Sequence, residues 1–377
     1  MLRFTLSAVV LASLLLADVR GAHARDAQTR APSAGEVATL EAPPWAADLD
    51  RRLRSIDHAF GGEIGVYVHH LGRDETWGFR ADETWYLASG VKVPVAIAVL
   101  REIEQEWLSL DSRITLLATD LVDGAGGTNA HPVGTRLRIG YLLEQMIVYS
   151  DNTATDMLIR TVGLGQVNAV ANELIAAQGA HITSLADVRR LAYGAFHPGA
   201  AGLSSQDLLA LQRAGTGQAR VRKLAELLRV SPDTFAVPSL DSAFERYYAT
   251  EANSATLRDY GRMLASLQQG LALEPEGTRH LLGVMARVQT GRQRIRAGLP
   301  PGAHFANKTG TQHRRLCDSG IVTMPAVGDR APVRVVIAAC VRGVAGAAGE
   351  RALRDVAAAV TAAGVFSATD PMPVPRR

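Results

Sequence analysis

Residues 89–105 read SGVKVPVAIAVLREIEQ. From Ser89 onward the pattern turns helical, and Pro94 falls in the first turns, where proline is tolerated. On a helix opening at Ser89, positions i and i+3 share a face, so Ser89 and Lys92 become neighbours. The amine can then take the hydroxyl proton, while the helix N-terminus offers backbone N–H groups and a favourable field for a developing oxyanion. Lysine is rare here. The chain has 40 Lys and Arg residues, of which only Lys92, Lys223 and Lys308 are lysine. Arginine, with a pKa above about 12, cannot act as a base, whereas a buried lysine can be tuned downward.

Working outward from this helix, residues 44–59 read as a helix and 63–71 (EIGVYVHHL) as a strand, with 76–80 as its hairpin partner across Gly72-Arg73-Asp74. His69 and His70 read as a strand end rather than a ligand pair. Downstream, helical periodicity recurs over 138–148, 153–162, 166–177, 205–213, 219–229, 254–269 and 277–287. Strand character returns at 303–309, 318–324 and 333–341, and an amphipathic helix over 350–363 stops at Gly364. Strands, a long helical middle, strands and a last helix predict an α+β sandwich. Its antiparallel sheet is built from both chain ends and flanked by helices, with an all-helical subdomain.

The 377 residues are 47% hydrophobic and 20% charged with a net charge of +3, a globular balance that argues against disorder and against a nucleic-acid partner. Arg3, the apolar run 6–17 and Ala22-His23-Ala24 read as a signal peptide over 1–24, implying a periplasmic or secreted protein. The run is too short to span a bilayer and no cysteine near it offers a lipid anchor. A flexible leader over 25–44, a single hydrolase domain over 45–366 and a disordered tail over 367–377 complete the division. Histidine spacing gives no metal site, no cofactor is called for, and a monomer is the default. Cys317 and Cys340 are equidistant from a turn signal at Gly328-Asp329, so a hairpin places them opposite each other. A disulfide and a pair of buried thiols both remain open at this stage.

Two further motifs carry chemistry. In Ser150-Asp151-Asn152 a second hydroxyl can pass a proton to a leaving nitrogen and an amide can hold a substrate carbonyl; the plainer reading is a helix N-cap. In Lys308-Thr309-Gly310 the first two side chains can grip a carboxylate, and the glycine lets a substrate lie against the strand edge. Each motif alone is weak to moderate evidence. S-x-x-K, S-D-N and K-T-G in this order resemble the motif set of the class A β-lactamases and penicillin-binding proteins, and class A more closely. The similarity covers roughly residues 47–187 and 253–364, including the stretch from Thr290 to Pro300 that looks like the segment preceding K-T-G in class A. The resemblance implies Ser89 as acylated nucleophile, Lys92 as base or relay, Ser150 as proton shuttle and Asn152 as holder of the acylamido arm. It further implies Lys308, Thr309 and Arg294 as carboxylate ligands, and the backbone N–H groups of Ser89 and Thr311 as the oxyanion hole.

The pattern breaks at the deacylating glutamate. No E-x-x-L-N follows Leu185-Ala186-Asp187, and residues 188–252 read as an enlarged Ω-like insertion containing helices. Glu245, preceded by Phe244, is the candidate replacement, ahead of Glu226, while Lys223 reads as a solvated helix residue. General-base help in deacylation is worth about 10²–10⁴-fold, so three activities stay open. They are β-lactam hydrolysis, D-alanyl-D-alanine peptidase or transpeptidase action on peptidoglycan stem peptides, and a sensor that is acylated without turnover.

Overall fold

The computed structural model describes residues 42–175, 181–326, 328, 331–344 and 346–367. The signal peptide, most of the leader, nearly all of the tail and Asp329 of the turn lie outside these residues. Five strands form one antiparallel sheet in the order β2-β1-β9-β8-β7: β1 (Glu63–His70), β2 (Glu75–Phe79), β7 (His304–Gln312), β8 (Arg315–Met324) and β9 (Val333–Arg342). Two short ribbons, β3 (Thr84–Tyr86) with β6 (Ser254–Thr256) and β4 (Arg113–Thr115) with β5 (Arg136–Arg138), pin the connections. Both ends of the chain therefore build the sheet, as the order of elements predicted.

Side chains alternate along these strands and divide the core in two. On one face Ile64, Val66, Val68, Val335, Ile337, Ala339 and Val341 pack against α1 (Ala46–Phe60) and α13 (Ala347–Ala362). On the other face Tyr67, Val336, Ala338 and Cys340 join the larger core of the helical layer. That layer comprises α2 (Lys92–Glu104), α3 (Ile139–Val148), α4 (Asn152–Val162), α5 (Leu164–Leu174), α6 (Leu185–Gly194), α7 (Ser205–Arg213), α8 (Gly217–Leu228), α9 (Leu240–Tyr248), α10 (Leu257–Gln268) and α11 (Pro275–Met285). A single turn, α12 (Ile295–Gly298), precedes β7. Helix α2 runs through the middle: every residue from Lys92 to Leu100 is buried, the mark of a helix with neighbours all round.

Several boundaries differ from the sequence reading. Residues 254–256 pair with β3 before α10 begins, so the helix expected from 254 starts at Leu257. Helices α6 and α9, amphipathic with buried faces at Leu185, Val188 and Ala192 and at Leu240, Ala243, Phe244 and Tyr247, are given no bounds by the sequence reading, α9 lying within the insertion it expects to contain helices. Cys317 and Cys340 face each other in the β8–β9 register and are disulfide-bonded, which resolves the open alternative.

Candidate active site

The chain enters α2 through a tight turn over Ala88–Val91, with Ala88 in the left-handed region at φ 48°. This turn is held from behind, where the buried Tyr260 hydroxyl donates to the Gly90 carbonyl at 2.9 Å. From the front it is pressed by β7. A Cβ on Gly310 would lie 2.4 Å from the Leu87 carbonyl oxygen, so only glycine allows the strand this close. Ser89 sits half-buried on the turn, beside the K-T-G strand.

Lys92 is fully buried one turn further on. Its Nζ donates to the Ser150 carbonyl at 2.6 Å, to Asn152 Oδ1 at 2.7 Å and to Ser150 Oγ at 3.2 Å. Burial pulls its pKa down to about 7, against the opposing fields of Asp151 and Asp156. Ser150 Oγ in turn accepts from Lys308 Nζ at 2.9 Å, so two lysines flank one hydroxyl. Lys308 also donates to its neighbour's carbonyl, Thr309 O, at 2.9 Å. Burial, then Lys92 and Arg294, push its pKa well below the ordinary lysine value. Among the described residues Ser89 Oγ has no hydrogen-bond partner, the usual looseness of an unliganded nucleophile.

The S-D-N stretch caps a helix, the plainer of its two expected readings. Ser150 adopts φ 62°, and Asp151 caps α4, accepting from Ala154 N at 2.9 Å. Asp151 also accepts from Thr128 N at 2.8 Å. The Asn152 amide is oriented by donating to the Asp123 carbonyl at 2.6 Å, which leaves Oδ1 for Lys92. The loop carrying Asp123 fits closely. A Cβ on Gly126, at φ 99°, would come within 2.1 Å of Asp151 Oδ2.

On the other side of the cleft, Thr309 Oγ1 meets Thr290 Oγ1 at 2.5 Å, and Thr311 is exposed on β7. Arg294, expected as a carboxylate ligand, lies behind β7 and reaches the site at Thr311. Its guanidinium is buried and largely spent on the Gly310 and Cys317 carbonyls, at 2.8 and 3.0 Å, and on Thr311 Oγ1 at 2.8 Å. The physical reason is burial, since a guanidinium beneath a strand must satisfy its donors there. Arg294 thus props β7 and aims the Thr311 hydroxyl.

Glu245 is not brought to this cluster. It lies on the outer face of α9, half-exposed, with its carboxylate held by Arg315 at 2.7 Å. It makes no hydrogen bond or ion pair with Lys92, Ser150, Asn152 or Lys308 among the described residues. The aromatic before it, Phe244, faces inward and turns the next side chain outward. Lys223 pairs with Glu226 at 2.7 Å on α8, as a solvated helix pair would.

Asp156 was not singled out by sequence. One turn beyond Asn152 on α4, it is buried and accepts from Leu185 N at 2.7 Å and Ala186 N at 2.9 Å. It thereby closes the start of α6 against the site. Burial raises its pKa to about 7. Nothing local distinguishes it in sequence except its i+4 spacing from Asn152.

A hydroxyl on a strained turn and a lysine of lowered basicity adjoin a second hydroxyl and a second lysine on β7, the chemistry of a serine acyl hydrolase. A family model described as "Beta-lactamase enzyme family" matches residues 48–363, and the chain belongs to that family. At the family level it is a serine hydrolase of β-lactams. A β-lactamase of Streptomyces albus G is 27% identical over 298 residues, covering 77% of this chain and 76% of the relative. A β-lactamase of Mycobacterium tuberculosis is 27% identical over 283 residues, 75% of each chain. The fold is shared with the structure of PBP-A, with a TM-score of 0.63 and 21% identity over 85% of this chain and 97% of that one. It is also shared with a β-lactamase of Xanthomonas campestris, at 0.61 and 23% over 84% and 97%.

Proposed function

We propose that this chain hydrolyses β-lactams through an acyl-enzyme on Ser89. The observation that carries the reading is the continuous path from Lys92 Nζ through Ser150 Oγ to Lys308 Nζ, laid beside the turn that bears Ser89. Ser89 Oγ attacks the lactam carbonyl and gives its proton to neutral Lys92. The negative oxygen that forms faces the backbone N–H groups of Ser89 and Thr311. The C–N bond breaks as Ser150 delivers its proton to the nitrogen and is reprotonated from Lys92. The substrate carboxylate lies against Lys308 and Thr309, with Thr311 aimed by Arg294, and Gly310 keeps the strand edge open to it. Asn152 orients the acylamido arm. Water then adds to the ester, releases the acid and restores Ser89.

The base for that water is Lys92 in our reading. Its pKa near 7 leaves about half of it neutral at neutral pH. Against Glu245 in that role stands its ion pair with Arg315 on the outer face of α9. The first turn of α6 presents Leu185 beside Asp156, and Asp187 there is paired with Arg190 at 2.8 Å. This favours a second reading, in which the acyl-enzyme forms readily and is released slowly, as suits a peptidoglycan D-alanyl-D-alanine peptidase. Steady-state turnover of a chromogenic cephalosporin decides: sustained hydrolysis supports the first reading, a single burst the second.

We further propose that the chain is exported to the periplasm or beyond. The signal-like residues 1–24 and the Cys317–Cys340 disulfide support this, because disulfides persist in oxidising compartments.

A further inference from the structure

The insertion over 188–252 encloses a cavity of about 260 Å³ next to the catalytic cleft. Two of its walls belong to the site itself. One is Gln312-His313, which continues β7 past Thr311; the other is Asp123, whose carbonyl fixes the Asn152 amide. Through Asp123 the cavity adjoins the Asn152 amide, the group proposed to hold the acylamido arm. The volume falls below the roughly 300–1,000 Å³ of a site for a whole small ligand, so it suits one arm of a substrate.

The charges lining this cavity, Arg189, Arg220, Asp123 and Asp241, balance in number but not in pairing. Arg189 is paired with Asp123 at 2.7 Å. Asp241 is engaged by His313 and, at 3.6 Å, by Arg314. Arg220 has no carboxylate within ion-pair distance among the described residues; its neighbour is the Tyr193 hydroxyl. Its Nε is shut from solvent and has no hydrogen-bond partner, an orphaned donor on a charged group. The same cavity receives the N-terminal ends of two helices, α8 at Thr216–Gln218 and α9 at Ser239–Asp241. The Thr216 side chain makes no capping bond, so the first N–H groups of α8 remain unclaimed by it. The α8 start adds a partial positive charge, whereas the α9 start is capped by Ser239 and carries Asp241. Val221, Leu240 and Phe244 supply an apolar wall.

We propose that this cavity is a side-arm subsite in which Arg220 binds a carboxylate carried on the acylamido arm of a β-lactam. The inference rests on the hydrolase reading above and names the substrates that reading would favour. An aryl or alkyl stem lies on the apolar wall, and the carboxylate meets the guanidinium and the start of α8.

The test compares benzylpenicillin with its α-carboxybenzyl counterpart, which differs by one side-arm carboxylate, on the wild type, Arg220→Met and Arg220→Lys. Arg220→Met is expected to lower kcat/KM for the carboxylated lactam roughly tenfold to a hundredfold, the range of a charge-assisted hydrogen bond. Benzylpenicillin should change by no more than about twofold, which also reports an intact fold, and Arg220→Lys should recover part of the loss. Equal effects on both lactams, or none on either, overturn the subsite. If neither lactam acylates the wild type, the hydrolase reading fails and the cavity is judged separately. Phenylmalonate and phenylacetate are then titrated into the full chain by NMR. An Arg220-dependent preference for phenylmalonate supports the subsite, and its absence overturns it.

Discussion

Replacing Gly310 by alanine tests whether the close approach of β7 to the nucleophile turn is what makes the site work. The added Cβ would sit 2.4 Å from Leu87 O and 3.2 Å from both Ala88 Cβ and Cys317 Cβ. Real Cβ atoms keep at least 3.0 Å, so strand and turn must part by at least about 0.6 Å. Neither side yields easily. Leu87 is backbone leading into a turn anchored by Tyr260, and Cys317 is tied to Cys340 within the sheet. Overpacking of this kind costs about 1–3 kcal/mol of stability. Its kinetic effect is larger, because both proposed oxyanion donors, Ser89 N and Thr311 N, flank the contact. A misplacement of about 1 Å costs on the order of 10²-fold, so we predict a fall in acylation rate of roughly 30- to 100-fold. The rate is read by stopped-flow with a reporter lactam, and circular dichroism and thermal melts confirm that Gly310→Ala folds. A folded variant acylating within twofold of the wild type would refute the argument that this spacing is catalytic.

The remaining predictions concern protons and the unused glutamate. Acylation needs Lys92 neutral, and its pKa is lowered to about 7, so the acylation rate should rise with pH through about 7 and level off above it; a flat profile from pH 5.5 to 9 contradicts this. Burial lowers the pKa of Lys308 and an incoming carboxylate raises it again, so substrate binding to Ser89→Ala should take up protons near neutral pH. Calorimetry in buffers of different ionisation enthalpy measures this, and no uptake would show Lys308 already charged in the free protein. Glu245→Gln should leave turnover within about twofold, because its half-exposed carboxylate is held by Arg315 on the outer face of α9; accumulation of acyl-enzyme in that variant would return the base to Glu245.

The parts legible in sequence were those set by local chemistry. The order of strands and helices followed from periodicity, and Ser150-Asp151-Asn152 announced a cap because aspartate before a helix does the same job in any fold. The equal spacing of Cys317 and Cys340 about a turn correctly placed them in register. The parts that were not legible depend on contacts distant in sequence. Arg294 shares the spacing of a carboxylate ligand, but its donors are claimed by the Gly310 and Cys317 carbonyls, which no linear pattern shows. Asp156 gains its position only when α6 folds back on α4. Glu245 looked suitable because an aromatic precedes it, yet on α9 that very neighbour turns it to the surface. The ribbon β3–β6 joins segments some 170 residues apart, and three-residue strands leave no periodicity to read.

The central claim is that Ser89, activated through Lys92, is the atom acylated by the lactam. Intact-mass spectrometry within milliseconds of mixing with a penicillin, followed by peptide mapping, measures it directly. The account predicts a transient gain of one whole lactam mass on the peptide containing Ser89, absent from Ser89→Ala and greatly slowed in Lys92→Met. A covalent adduct on any other residue, or one that persists undiminished in Ser89→Ala, contradicts it.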